Sequence, residues 1–259
     1  MGRHTQSREG LMRLSRLYLE HPLYEGTEIS LDESRSHYLL RVLRLKPGDA
    51  LRVFNGDGHE YNAELEDATK KRATVRVHNT LSPQCESPLH IEVGQGIARG
   101  ERMDFVLQKS VELGANALTP LWTHRSQVKL DSKRMEKRLA HWRGIVHSAC
   151  EQSGRVYIPA LNPPLDFNAW LTTPSDGLSL VLSPHSSMTL KELAPATRVR
   201  VLIGPEGGLE DDEISMAEKN GFQTIRLGPR ILRTETAALA TLAALQTLWG
   251  DLAAQSSDT

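Results

Sequence analysis

The chain has 259 residues, 39% of them hydrophobic and 24% charged, which is globular usage and excludes a disordered, collagen-like or fibrous chain. That length holds one large domain or two ordinary ones, with a real core either way. The net charge of −1 gives no sign of nucleic acid by itself, although an average can conceal a patch.

No run of about 18 apolar residues is present to span a bilayer, and Met1–Gly10 is polar rather than a secretory signal. The expected location is therefore the cytoplasm, with no membrane association. Cys85 and Cys150 stand apart from any CxxC pair, so they read as reduced thiols rather than zinc ligands.

Residues 1–11 read as a flexible tail, since apolar patterning starts only around Met12–Tyr18. Short elements follow: Leu39–Leu45, a turn at Lys46-Pro47-Gly48-Asp49, Ala50–Phe54, a turn at Asn55-Gly56-Asp57-Gly58, Tyr61–Leu65 and Thr74–Val77. Closely spaced turns between β-prone runs predict a small β-rich barrel or sandwich over 12–83. Pro83 and Pro88 then break the pattern, placing a domain boundary there.

From 84 to 259 the texture changes to α/β, with a mainly parallel sheet. Predicted strands are His90–Ile97, Ala117–Trp122, Leu178–Leu182, Val199–Ile203 and Thr224–Leu227. One helix carries Met103, Val106, Leu107 and Val111 on a single face and stops at Gly114. Another runs from Ser132 with Met135, Leu139, Trp142, Val146 and Ala149. Glu210, Asp211, Asp212 and Glu213 form the acidic first turn of a third, ended by Gly221. The last, from about Glu235 to Trp249, is apolar nearly all round and needs cover from the core or a second subunit.

Charge is uneven along this half. Arg99–Arg155 holds eleven Lys or Arg against six Asp or Glu, whereas Arg200–Thr259 holds five against nine. A basic stretch of this kind is either a solvated helix face or an anionic binding surface.

The strand end Glu92-Val93-Gly94-Gln95-Gly96-Ile97 suggests a nucleotide-binding glycine run, but Arg99 stands where GxGxxG needs its third glycine. No GxxxxGK[ST], HExxH or GxSxG occurs, which leaves P-loop, zinc-protease and serine-hydrolase chemistry without an anchor and implies no metal. Val201-Leu202-Ile203-Gly204-Pro205-Glu206-Gly207-Gly208-Leu209 and Ile225–Ala238 are more informative. Each is a strand running into a glycine and proline loop and then a helix, so two loops fall at the carboxyl ends of strands, where α/β sheets bind ligands. Glycines let backbone approach a ligand closely, and prolines stiffen the loop.

These segments resemble a known family. His37–Arg44 with Gly48-Asp49 and Phe54–Gly58, Arg102-Met103, Gln108–Gly114, Arg125-Ser126, Glu151–Arg155, Gly204–Gly208 and Leu227–Ala237 occur in order from Arg13 to about Gly250. Together they resemble the RsmE family of ribosomal RNA uridine-N3 methyltransferases, in the SPOUT superfamily. The run Leu182-Ser183-Pro184-His185 departs from the family's usual residues.

The resemblance implies a PUA-like RNA-binding barrel at the N-terminus. It also implies a C-terminal SPOUT α/β domain with a trefoil knot, which binds S-adenosylmethionine and forms a homodimer. Leu182, Ile203, Gly204, Gly208, Leu227, Gly228, Ile231, Leu232 and Thr234 are then expected to hold the cofactor, chiefly through backbone atoms. The implied reaction is methylation of N3 of a uridine in 16S rRNA, with naked RNA or the small ribosomal subunit as partner.

That nitrogen carries a proton at neutral pH, so the site must align the base, remove the proton and stabilise the anion. Arg233 is the candidate for stabilising the anion, against an ion pair with Glu206 or Glu235. Glu235 is the candidate acceptor, against a first-turn carboxylate on a helix capped by Thr234. Arg99, Arg102, Lys109, Arg125, Arg143, Gln152 and Arg155 are candidates for RNA contact, against exposed charge or, for Arg155, helix capping. Tyr61, His37 and Trp122 are candidates for stacking on bases, with core packing the alternative for Trp122. Rival readings are a catalytically silent RNA-binding protein, a related methyltransferase acting on tRNA or another rRNA position, and an NAD-dependent oxidoreductase using Gly94 and Gly96.

Overall fold

The computed structural model describes residues 14–69, 72–126 and 132–253, so the tail expected over 1–11 lies outside the described residues. The chain separates into two compact units between Gln84 and Cys85.

The first unit comprises β1 (Arg16–Tyr18), β2 (Glu28–Ser30), α1 (Glu33–His37) with a π turn over Tyr38–Val42, β3 (Ala50–Phe54), β4 (Glu60–Ala68) and β5 (Ala73–Leu81). The strands form one sheet in the order β1-β3-β4-β5-β2, antiparallel except for the β1–β3 pair. Leu51, Val53, Ala63, Leu65, Val75 and Val77 alternate along their strands and pack into one core. Glu60 is buried between Arg16 and Arg52, as a carboxylate inside a fold requires.

Leu39–Leu45, read as β-prone, is not a strand. Asp32 caps α1 by accepting the Arg35 amide at 2.8 Å, and the helical path continues to Val42, so Leu39 enters the core from a helix. Tyr61, a stacking candidate, is also core, with its hydroxyl donating to Asp57 at 3.2 Å. Burial and the Asp57 charge push its phenol up.

The second unit comprises β6 (His90–Gly96), α2 (Glu101–Glu112), β7 (Ala117–Trp122), α3 (Ser132–Ser153), β8 (Ala160–Leu161), β9 (Leu165–Asp166), α4 (Phe167–Leu171), β10 (Leu178–Leu182), β11 (Arg198–Ile203), α5 (Asp211–Lys219), β12 (Gln223–Ile225) and α6 (Thr234–Trp249). Every pair in its seven-stranded sheet is parallel, in the order β12-β10-β11-β6-β7-β8, with β9 also beside β7. Near-continuous apolar runs such as Val199–Ile203 fit a sheet covered on both faces.

The periodic helices behave as their spacing requires. Met103, Val106, Leu107 and Val111 of α2 are buried, and Gly114 closes that helix at φ +82°. Trp142, Val146 and Ala149 of α3 are buried too. At the far end of α6, Gln246 accepts from the Ser87 hydroxyl at 2.6 Å and donates to the Leu113 carbonyl at 3.0 Å. Two corrections matter for the site. The strand expected over Thr224–Leu227 stops at Ile225, which frees 226–233 as loop, and the N-cap of α6 is Arg233 rather than Thr234.

Candidate active site

Strands β12, β10, β11 and β6 are neighbours and parallel, so their carboxyl ends open on one side of the sheet. The loop leaving β11 turns tightly, with the Gly208 amide donating to the Pro205 carbonyl at 2.8 Å and Gly208 at φ +72°. A side chain on Gly204 would stand 2.8 Å from the Leu209 amide nitrogen, so only glycine permits that fold-back. The loop then enters α5, where Glu210 and Glu213 form a capping box.

Neighbouring segments bind this loop tightly. Glu206 Oε1 accepts the Arg99 amide at 2.8 Å and Arg102 Nη1 at 3.0 Å. Burial alone raises the Glu206 carboxyl, but these bonds and the Arg102 charge outweigh it and hold the group below the usual carboxylate range. Arg125 Nη1 donates to the Gly207 carbonyl at 2.7 Å, and the His124 amide donates to the buried Glu213 at 2.8 Å. Thr234 Oγ1 donates to the Gly204 carbonyl at 2.6 Å, which joins the first turn of α6 to the same loop.

The loop leaving β12 is built differently. Gly228 takes φ +78°, and Ile231 is 87% exposed. Between the two loops and the end of β10 lies a cavity of about 440 Å³, within the range of small-molecule sites. Leu182, Ile203, Gly204, Gly208, Leu227, Gly228, Ile231, Leu232 and Thr234, the residues expected to hold a cofactor, all line it. Ser183, Pro184 and His185 add a third wall. The signal for it was available, because Leu178–Leu182 also runs into a proline loop.

Arg233 and Glu235 flank Thr234 at the start of α6. Arg233 is exposed, and among the described residues it makes no ion pair, whereas Glu206, one of the partners considered for it, is paired with Arg102. Glu235 Oε2 is buried without a hydrogen-bond partner.

The sequence profile of an RNA methyltransferase domain matches residues 85–246, and that of an RNA methyltransferase PUA domain matches 31–77. The ribosomal RNA small subunit methyltransferase E of Buchnera aphidicola subsp. Schizaphis graminum is 38% identical over 93% of this chain and 98% of its own length. The protein of that name from Bacillus subtilis is 30% identical over 85% of this chain and 90% of its own. The chain belongs to the ribosomal RNA small subunit methyltransferase E family.

Solved structures of similar proteins agree. A Legionella pneumophila methyltransferase in complex with S-adenosylmethionine is 41% identical, with a TM-score of 0.90, over 93% of this chain and all of that one. The family member from Neisseria gonorrhoeae, bound to S-adenosylmethionine, is also 41% identical, with a TM-score of 0.86, over 92% of this chain and 99% of its own. The cavity fits that cofactor on its own geometry. Its walls combine apolar side chains and glycine backbone with the polar groups of Arg125, His185, Glu206, Asp211, Arg226 and Arg230. A side chain at Gly204 would meet the Leu209 backbone, and Gly208 and Gly228 take positive φ values that side chains rarely adopt.

The RNA candidates divide into two groups. Arg99, Arg102 and Arg125 gather around the Gly204–Gly208 loop. Lys109, Gln152 and Arg155 fall in the last turns of α2 and α3 or just beyond them, at the opposite end of the sheet, and Arg143 is exposed on α3 between the two groups. Lys109 is paired with Glu112 at 2.7 Å. Arg155 is a correction: it is 4% exposed and grips Glu86 through two nitrogens. Its Nη1 donates to the carbonyls of Val111 and Ala115 at 3.1 and 2.6 Å. That guanidinium holds the fold together and cannot reach a phosphate. His37 is exposed and Trp122 half-buried. Among the described residues no helix is long and apolar enough to cross a membrane, and no cluster of three His, Cys, Asp or Glu is placed to hold a metal.

Proposed function

We propose that this protein methylates N3 of a uridine in 16S ribosomal RNA, in the cytoplasm, using S-adenosylmethionine. The observation that carries the reading is the cavity at the carboxyl ends of β10, β11 and β12, lined by both glycine loops and the first helical residue of α6. When bound, S-adenosylmethionine supplies a methyl group made electrophilic by its sulfonium. Leu182, Ile203, Gly204, Gly208, Leu227, Gly228, Ile231, Leu232 and Thr234 hold it.

The chain's own residues then act on the base. Arg233, exposed and without an ion pair among the described residues, stabilises negative charge developing on the uridine carbonyls. Glu235, with an unbonded buried oxygen, accepts the N3 proton. Arg99, Arg102 and Arg125 receive phosphates at the rim, helped by Arg143 and by the PUA-like unit.

The cofactor domain is a knotted SPOUT homodimer in this reading. Support for the knot is the path of 226–234, which leaves β12 on one side of β10 and reaches the Gly204 carbonyl beyond β11 on the other. Support for the dimer is α6, apolar nearly all round, whose Leu248 stays 43% exposed.

The test is methyl transfer from labelled S-adenosylmethionine to small ribosomal subunits and to naked 16S rRNA, both from cells lacking the gene, with nucleosides identified by mass spectrometry. 3-Methyluridine in either RNA is the expected result. Label absent from both, or found in tRNA instead, overturns the assignment.

A further inference from the structure

We propose that Gly94-Gln95-Gly96, the glycine run that resembles a broken nucleotide fingerprint, is the seat of the cofactor loop, and that Gln95 is a positioning residue for the methyl-transfer site. The inference rests on the functional reading above and adds a part that no cavity-lining residue supplies.

Gln95 stands at the end of β6, in register with Ile203, the residue before Gly204. It is an amide only 1% exposed among buried neighbours, a placement that is unfavourable unless the group is hydrogen-bonded. Its Nε2 faces three acceptors: the Gly96 carbonyl at 2.9 Å, the Gly204 carbonyl at 3.2 Å and Thr234 Oγ1 at 2.9 Å. An amide nitrogen carries two hydrogens, so the three acceptors share them. Thr234 in turn donates to Gly204, closing a triangle between the end of β6, the glycine loop and α6.

The Gly204–Pro205 peptide has no N–H, because proline lacks one. Its carbonyl is its only polar handle, and that handle is held from two directions. Meanwhile Gln95 Oε1 is buried with no partner.

The flanking glycines complete the seat. A Cβ on Gly96 would lie 2.5 Å from Pro205 Cδ and 2.6 Å from its nitrogen, so the loop rests directly on strand backbone. A Cβ on Gly94 would lie 2.5 Å from the Trp170 ring, which packs in a cluster with Val181 of β10 and Leu202 of β11. Both glycines are filled from within the protein, which excludes a nucleotide at this turn. Gln95 therefore sets where the cofactor loop lies relative to Thr234, and with it Arg233 and Glu235 on either side.

The test compares wild type with Gln95→Met, which keeps the volume and removes the amide. Three quantities are read: hydrogen exchange of 204–209 without cofactor, the Kd for S-adenosylmethionine by calorimetry, and kcat and KM for RNA at saturating cofactor. Expected are faster exchange of 204–209, a Kd raised about tenfold or more and a kcat lowered by a similar factor, with KM for RNA within twofold of wild type. A lower Tm with exchange, Kd and kcat unchanged overturns the proposal, because the amide would then be core filling alone.

Should Gln95→Met fail to fold, Thr234→Val and Thr234→Ser decide instead. Read by exchange of 204–209 without cofactor alone, serine keeps the hydroxyl and is expected to keep slow exchange, while valine is expected to exchange faster; equal exchange in the two overturns the seat. Should wild type itself take up no cofactor, the functional reading falls, and the exchange comparison without cofactor still decides the seat.

Discussion

The two loops that wall the cavity are made alike in sequence and held very differently. The Gly204–Gly208 loop is bonded by the Arg99 amide and by the side chains of Gln95, Arg102, Arg125 and Thr234. No hydrogen bond from a described residue reaches 227–232. The first loop is thus shaped before any ligand arrives, which lowers the entropy cost of binding. The second carries no such restraint among the described residues. A site with one fixed wall and one unbonded wall can select its cofactor on the first and admit a large RNA beside the second.

That contrast can be broken most sharply at Arg233, on the unbonded side. Arg233→Ala is expected to lower turnover about 10²- to 10³-fold while moving the cofactor Kd less than twofold; equal losses in single-turnover rate and in calorimetric affinity would make it structural. On the fixed wall, Gly204→Ala forces the Leu209 backbone aside and is expected to weaken cofactor binding roughly 100-fold, the arithmetic of about 3 kcal/mol. Gly228→Ala meets no atom and suffers only its positive φ, a strain of roughly 1–2 kcal/mol, so its calorimetric Kd should rise only about tenfold. Equal effects at the two glycines would erase the contrast.

The smallest effect concerns pH. The folded protein holds the Glu206 carboxyl below its ordinary range, so its contribution is complete above that range and is lost as pH falls through the folded value. Cofactor affinity should drop a few-fold only on acidification below the usual carboxylate range, and Glu206→Gln should remove that slope. A wild-type affinity flat in acid would show that Glu206 does not stiffen the loop.

The framework of the site was legible because it is local. Ile203–Gly208 and Leu227–Thr234 carry the strand, turn and helix signals in consecutive residues, and all nine positions expected to hold the cofactor line one cavity. Long-range partners were not legible. Arg155 reads as a surface cation until Glu86 closes on it from 69 residues away, and Gln95 reads as the middle of a nucleotide motif until Thr234 meets it from 139 residues away. Leu39–Leu45 misled for a related reason, since hydrophobic spacing over seven residues does not separate a short strand from a helical turn anchored by Asp32. Glu210–Gly221 was read correctly as a helix because its capping box and terminal glycine are both contained within it.

Strand β6 finds its neighbour β11 only after more than a hundred residues of intervening chain. During synthesis the emerging domain therefore carries a central strand paired with β7 on one edge but open on the other until 198–203 is made, and about a third of the cavity wall waits for 227–237. Such non-local pairing folds slowly. The nascent polypeptide accordingly has no cofactor pocket until translation has passed the start of α6, and a product halted earlier would be a target for chaperones or proteases rather than a partly active enzyme.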